Sequence, residues 1–314
     1  MSEFKNRVFG CAIVKAINSN YNADFSGQPR TLPNGIVYAT DKAFKYTVKN
    51  YLKDVYEKEN IFYFKSLNEN LNPISLDETY KKFFGNYPTG VGKDKDKIIK
   101  TDVAKNLLSC LDVRLFGATF AGATNISLHG PVQINHGPNI WKENYIFTEQ
   151  ITSPFSNKAD DSDPEKGMTT IGRQSRLAEG HYLHHFSVNP LNLKDIAILA
   201  GEGAQTISSD DISKLKEAMC RGVTWYDSAS KAGCENEMLV WVQLKENSKI
   251  VIPNFTTLII LNDEKENGKC IYDFSKSKTL FENIDNQIES IEIYYNKQTV
   301  ELVNIPNKAK EYDI

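Results

Sequence analysis

Between Asp112 and Gly137 the chain reads DVRLFGATFAGATNISLHGPVQINHG. Arg114 stands ahead of a run that carries glycines at 117, 122, 130 and 137, two histidines and no acid beyond Asp112. A guanidinium is a planar, permanently charged fork that fits carboxylate or phosphate oxygens. Glycine, with no Cβ, lets another backbone come close. These types together suit a polyanion contact. The plainer chemistry is an Arg114–Asp112 pair with turns at the glycines. A second basic feature lies upstream. Lys42, Lys45, Lys49 and Lys53 are spaced by three, four and four, so they share one sector of a helical wheel at about 100° per residue. Phe44, Val48, Tyr51, Leu52 and Val55 fall on the opposite side. Residues 28–53 hold Arg30 and those four lysines against a single acid, Asp41, and contain no Glu. The ridge is either a solvated helix face or the seat of an anion such as a phosphate backbone.

Other arrangements fail on spacing. GNYPTGVGKD lacks the first glycine of a Walker A loop, where Tyr87 stands, and follows Lys93 with Asp94 rather than Ser or Thr. In HYLHH, strand alternation sends His181 and His185 one way and His184 the other. There is no H-E-x-x-H and no cysteine nearby in sequence, so these read as hydrogen-bonded sheet histidines and no metal is expected. No G-x-S-x-G elbow and no C-x-x-C occurs. ADDSDPE reads as a solvated loop tip. The pattern calls for no cofactor.

The elements that must carry these residues follow from periodicity. RVFGCAIVKAI at 7–17 reads as a buried strand. The polar loop NSNYNADFSGQPRTLPNG follows. A helix then starts at Thr40-Asp41 and runs to about Val55. Residues 59–105 alternate polar helical pieces with Gly/Pro loops and look like an insertion. A helix is expected near 101–110, a strand over 124–135, and no sustained apolar period over 148–176, a length at which a structureless loop is usually functional. GHYLHHFSVNP reads as a strand, 209–221 as a helix, 236–246 as a strand and 278–287 as a helix. IESIEIYYNKQTVELV reads as a hairpin turning at Asn296-Lys297. The order suggests an α+β sandwich with helices on one face of an antiparallel sheet.

The 314 residues are 40% apolar and 25% charged with a net charge of −3, so any basic surface must be local. The five cysteines read as reduced thiols. The start of the chain shows no secretory signal, and no apolar run nears the ~20 residues of a membrane span. A cytoplasmic protein with no membrane contact is expected.

Three stretches together resemble one family. INSNYNADFSGQPRT…YATDKAFKYTVKNYL resembles the Asn-rich loop and basic first helix of CRISPR-associated backbone subunits. DVRLFGATFAG…ISLHGPVQI resembles their Asp-x-Arg-x-Phe-Gly signature and the strand after it. MTTIGRQSRLAEGHYLHHFSVNP is similar to the Gly-Arg segment that closes their thumb, and VTWYDSASKAG fits a later family segment. The family is the Cas-seven group, the repeating backbone of type I CRISPR effector (Cascade) complexes, with wording most similar to the I-B subtype. The resemblance spans about 7–245. The loop that commonly reads Asn-Pro-Asn-Gly is here Asn18-Ser19-Asn20-Tyr21-Asn22, and a frequent Lys after Gly-Arg is Gln174.

Membership implies an RRM-like (ferredoxin-like) antiparallel palm at 1–58, 106–147 and 177–248. It implies a helical finger insertion at 59–105 and a thumb hairpin at 148–176, leaving 249–314 as a C-terminal extension. The implied partners are CRISPR RNA, copies of the chain along it, other Cascade subunits, and target DNA through the guide. No nuclease activity of its own is implied. The implied RNA-binding residues are Asn18, Asn20, Asn22, Arg30, Lys42, Lys45, Lys49, Arg114, Gly117, Arg173, Gln174 and Arg176. Met168, Thr169, Thr170 and Ile171 would form the thumb wedge, unless Met168 is a core filler. Related type III backbone subunits cut RNA with an acidic loop residue; the equivalent candidate here is Asp24.

Overall fold

The computed structural model describes residues 2–156 and 168–314, with side chains described outside 153–171. Seven strands form the main sheet: β1 Val8–Ser19, β2 Val132–Ile134, β3 Ile146–Ser156, β4 Met168–Val188, β5 Cys234–Leu244, β6 Ile288–Tyr295 and β7 Ala309–Asp313. Their order is β7-β6-β5-β1-β4-β2, with β3 also on β4. Every pair is antiparallel except β6 with β7.

β1 is apolar from Val8 to Val14 because both of its faces are covered there. Val8, Ala12, Val14 and Ala16 face a core with helices α1 (Asp41–Val55) and α6 (Ser209–Trp225). Phe9, Cys11 and Ile13 face a second core built with Ile252, Phe255, Tyr272, Phe274 and Phe281 from the C-terminal segment. The expected sheet with helices on one face is therefore corrected. The opposite face is also covered, in part by helix α7 (Ser275–Asn283), which contributes Phe281.

Thr40 caps α1, its Oγ1 accepting from the Ala43 amide. Ser208 and Asp211 form a reciprocal capping box at the start of α6. The two helices approach closely at Gly222, where a Cβ would lie 2.8 Å from the Thr47 carbonyl oxygen.

A third core is separate. It gathers Phe62, Tyr80, Val103, Leu107, Val113, Phe120, Leu128 and Leu193. Its elements are α2 (Leu76–Phe84), α3 (Lys100–Leu108), α4 (Leu111–Phe116) and a hairpin of Gly117–Ala121 with Asn125–His129. Helix α5 (Lys194–Ala200) follows β4. The strand expected over 124–135 is split, because Gly130-Pro131 ends the hairpin before β2 joins the main sheet. A proline has no amide hydrogen to continue a ladder.

The hairpin expected over 288–303 is also overturned. Both strands form, but β6 lies between β5 and β7 while Val300–Val303 runs parallel to Cys270–Asp273 in another sheet. The connection lacks an Asn-Gly turn to fold the strands back on each other.

Candidate nucleic-acid interface

β4 is longer than its partners. From Leu177 onward it pairs with β1; from Met168 to Leu177 its ladder is with β3, so these two strands leave the sheet as a ribbon. Three segments meet at the ribbon's root. Asn20 Nδ2 donates to the carbonyls of Gly27 and Ser175, both at 3.1 Å. Its amide donates to Ser230 O at 2.8 Å. Arg176 donates through Nη1 to Asn18 O at 2.8 Å and through Nη2 to Gln174 Oε1 at 3.2 Å. Gln174 Nε2 reaches Ala229 O at 3.5 Å, and Lys231 Nζ donates to Tyr21 O at 2.7 Å. Asn18 holds this corner with a left-handed φ of 46°, a conformation asparagine tolerates better than most residues.

Asn22 joins the loop to the first helix. Its Oδ1 accepts from both the amide and the hydroxyl of Thr40, each at 2.9 Å. Arg30 donates its amide to Asn22 O at 3.2 Å. The seam therefore unites Asn18, Asn20, Asn22, Arg30, Gln174 and Arg176, with Lys42 at the start of α1. Arg173 and Lys42 are exposed. Buried Arg30 Nε and Asn20 Oδ1 have no hydrogen-bond partner among the described residues. Sequence reading missed Lys231 as a member of this seam. Its segment, YDSASKAG, was the available signal.

Other expected contacts point elsewhere. Lys45 pairs with Asp41, four residues before it, at 3.1 Å and lies over the Phe116 ring. Lys49 pairs with buried Asp112 at 3.2 Å, lies over the rings of Tyr63 and Phe116, and has a side chain only 13% exposed. Lys53 lies over Phe64. Asp112 is itself fixed by accepting from the amides of Phe62 and Tyr63 at 2.8 and 2.9 Å. The protein's own 62–64 and 112–116 segments thus lie along most of the lysine ridge. This corrects the expectation of a free phosphate track at Lys45 and Lys49.

Arg114 is corrected too. It is 4% exposed and donates twice to Asp211, at 3.1 Å from Nε and 2.8 Å from Nη2. Its Nη1 donates to Ser109 O at 2.8 Å and Leu108 O at 3.3 Å, and Glu59 lies 3.5 Å from Nη2. The fork is filled by α3, α6 and Glu59, leaving no exposed donor for phosphate. Its anion is Asp211 rather than Asp112, a partner remote in sequence.

Gly117 is buried with φ +81°, and a Cβ there would lie 2.1 Å from Leu128 O and 2.4 Å from Gly130 N. The missing Cβ admits the chain's own hairpin, not an RNA strand.

The strand histidines sit on opposite faces as alternation requires. His184 stacks on Phe44 at 5.1 Å and donates from Nδ1 to Asn135 O at 3.0 Å. Burial pushes it down to about 4. His181 and His185 face the C-terminal segment, His185 stacking on Phe255. Asp24 Oδ1 accepts from Ser26 N, Ser26 Oγ and Gln28 N at 2.8, 2.8 and 3.0 Å, so it braces its own loop. Met168, Thr169 and Thr170 begin β4, and their side chains lie outside the described residues.

Fold and seam define a class first: an α+β protein whose mostly antiparallel sheet sends out a β-ribbon and gathers amide and guanidinium groups at its root. The sequence model for CRISPR-associated protein Cas7 matches residues 6–280, and the chain belongs to that family. No curated protein matches the chain. Among solved structures, a chain of a "CRISPR RNA-guided surveillance complex, pre-nicking" is similar with a TM-score of 0.56 at 13% identity, covering 98% of this chain and 96% of that one. A chain of a second "CRISPR RNA-guided surveillance complex" gives 0.47 at 12% identity, covering 94% and 95%. At 13% identity the first likeness is one of fold.

Proposed function

We propose that this Cas7-family chain is a non-catalytic CRISPR RNA-binding subunit that repeats along the guide as the backbone of a type I complex in the cytoplasm. The observation that carries the reading is the seam at the ribbon root. There two exposed cations, Lys42 and Arg173, flank asparagine and arginine groups fixed by backbone hydrogen bonds. A guide differs from spacer to spacer, so its holder must read backbone and shape and leave sequence to base pairing. Rigid polar groups fixed by backbone hydrogen bonds suit that task.

The order β1-α1-β2-β4-α6-β5, with β5-β1-β4-β2 side by side, supports the ferredoxin-like palm. In this reading the third core is the finger and the β3/β4 ribbon the thumb. Neighbouring copies, other Cascade subunits and target DNA paired to the guide are the partners. Among the described residues no helix is long and apolar enough to cross a membrane.

Asp24 is the residue on which a metal-dependent RNase would rest. One of its oxygens is committed to three loop donors, which argues against that use. The deciding experiment is co-expression with a CRISPR array, purification, and sequencing of the bound RNA. Repeat-spacer RNA should copurify, and Arg173→Glu with Arg176→Glu should abolish its capture while the protein still melts cooperatively. Random cellular RNA, or regular cutting of complementary RNA with divalent metal, would refute the proposal.

A further inference from the structure

On the C-terminal side of the sheet, β4 and β5 meet the strand Cys270–Asp273 in a buried polar cluster. His181 is at its centre with no exposed surface. Its Nδ1 lies 2.6 Å from Glu237 Oε2, and the Tyr272 hydroxyl donates to that same oxygen at 2.7 Å. Its Nε2 lies 3.2 Å from Glu179 Oε1 and 4.0 Å from Cys270 Sγ. One ligand atom from each of Glu179, His181 and Cys270 falls within 4.8 Å of the other two. Glu237 Oε1 is buried with no hydrogen-bond partner among the described residues.

We propose that Glu179, His181 and Cys270 bind a divalent metal of the zinc type, with Glu237 orienting His181 from behind. Thiolate, imidazole and carboxylate are the three donor types zinc takes, with bonds of about 2.0–2.3 Å. Tetrahedral angles with such bonds place donor atoms roughly 3.3–3.8 Å apart. The 3.2 and 4.0 Å spacings around Nε2 need only small side-chain adjustments. Mixed soft and borderline donors favour zinc over magnesium or calcium.

The back of the site is also built for a metal. A carboxylate that holds the second nitrogen of a histidine fixes the ring and raises its basicity toward the metal. Glu237 does this here, and Tyr272 holds Glu237 in turn. Charge closes as well: the dication meets the Cys270 thiolate and two glutamates, and Lys265 supplies the remaining positive charge. Lys265 pairs with Glu179 and lies over Trp141 from an exposed turn, so it can move aside when the carboxylate takes the metal. A solvent molecule completes the fourth position at the Glu179 edge, whose side chain is 22% exposed. The metal would tie the C-terminal segment to β4 across 89 residues of chain.

The test uses the full-length chain, stripped with a chelator and titrated with Zn²⁺ and with Co²⁺. One equivalent of either should bind. Co²⁺ should show a thiolate-to-metal charge-transfer band that Cys270→Ser removes. Glu179→Gln lies at the site's edge and should leave the metal-free protein folded while weakening zinc at least tenfold. Glu237→Gln should weaken it about 10- to 100-fold. No stoichiometric binding, or a thiolate band that survives Cys270→Ser, overturns the site. If Cys270→Ser does not fold, unchanged zinc affinity in Glu179→Gln overturns it.

Discussion

Arg114 shows how burial decides what a charge is for. A guanidinium whose donors all meet protein acceptors is costly to remove, because Asp211 is then left as a buried, uncompensated anion. Arg114→Ala should cost about 3–5 kcal/mol in urea unfolding. The folded fraction should bind RNA with an unchanged salt dependence. A phosphate ligand would give the opposite pattern: near-native stability and a salt slope smaller by about 0.7. His184 carries a second consequence. Burial in the α1-side core outweighs its bond to the Asn135 carbonyl, holding the folded histidine near 4 against 6.5 in the unfolded chain. Below 6.5 the unfolded state takes a proton that the folded state refuses. The contribution is therefore complete above pH 6.5 and is lost as pH falls toward 4. A gap of this size is worth roughly 3 kcal/mol. Denaturant unfolding at pH 7 and pH 5 should show the loss, and His184→Gln should flatten it.

At the scale of elements, α1 was legible and its ridge was not. The Thr40 cap and the apolar period fix the helix from local residues alone, and the observed span is Asp41–Val55. The fate of the lysines depends on Asp112, Tyr63 and Phe116, which come near only through tertiary packing. For the same reason the three asparagines of the 18–22 loop were legible as a polar corner, whereas their partners Ser175 and Ser230 were not. Strand alternation likewise revealed β6 and Val300–Val303, but it is blind to which neighbour each strand takes. α1 therefore divides into two experiments. Lys42 is exposed at its start, so Lys42→Ala should reduce the salt slope of RNA binding by about 0.7 with melting unchanged. Lys49→Ala should leave that slope alone and cost roughly 3 kcal/mol, since it strands Asp112 in the interior. Binding isotherms across a salt series, paired with urea unfolding of each variant, separate the two.

Across the whole molecule, the sheet is stabilised on both faces, and β4 runs on past its pairing with β1 into a ladder with β3. β1, β4 from Leu177 onward, and β5 each bury side chains against helices on one face and the C-terminal segment on the other. Among the described residues, the part of β4 that precedes Leu177 pairs in the ladder with β3 alone. Its root is stitched to the 18–30 and 228–231 loops. Stability and assembly should therefore separate along this strand. Replacing residues 155–168 with a short Gly-Ser link should leave the seam intact and the fold nearly untouched. The melting temperature should move by no more than about 2 °C, under roughly 1 kcal/mol for a chain of this size. Each copy should still bind a short RNA through the ribbon root. On a long guide the variant should lose the regular spacing of copies, because the proposed wedge between bases and the reach toward the next subunit are gone. Nuclease footprinting and mass per RNA on guides of increasing length measure that loss. A variant that no longer folds would place the ribbon tip in the core, and one that still assembles at regular intervals would remove it from the assembly.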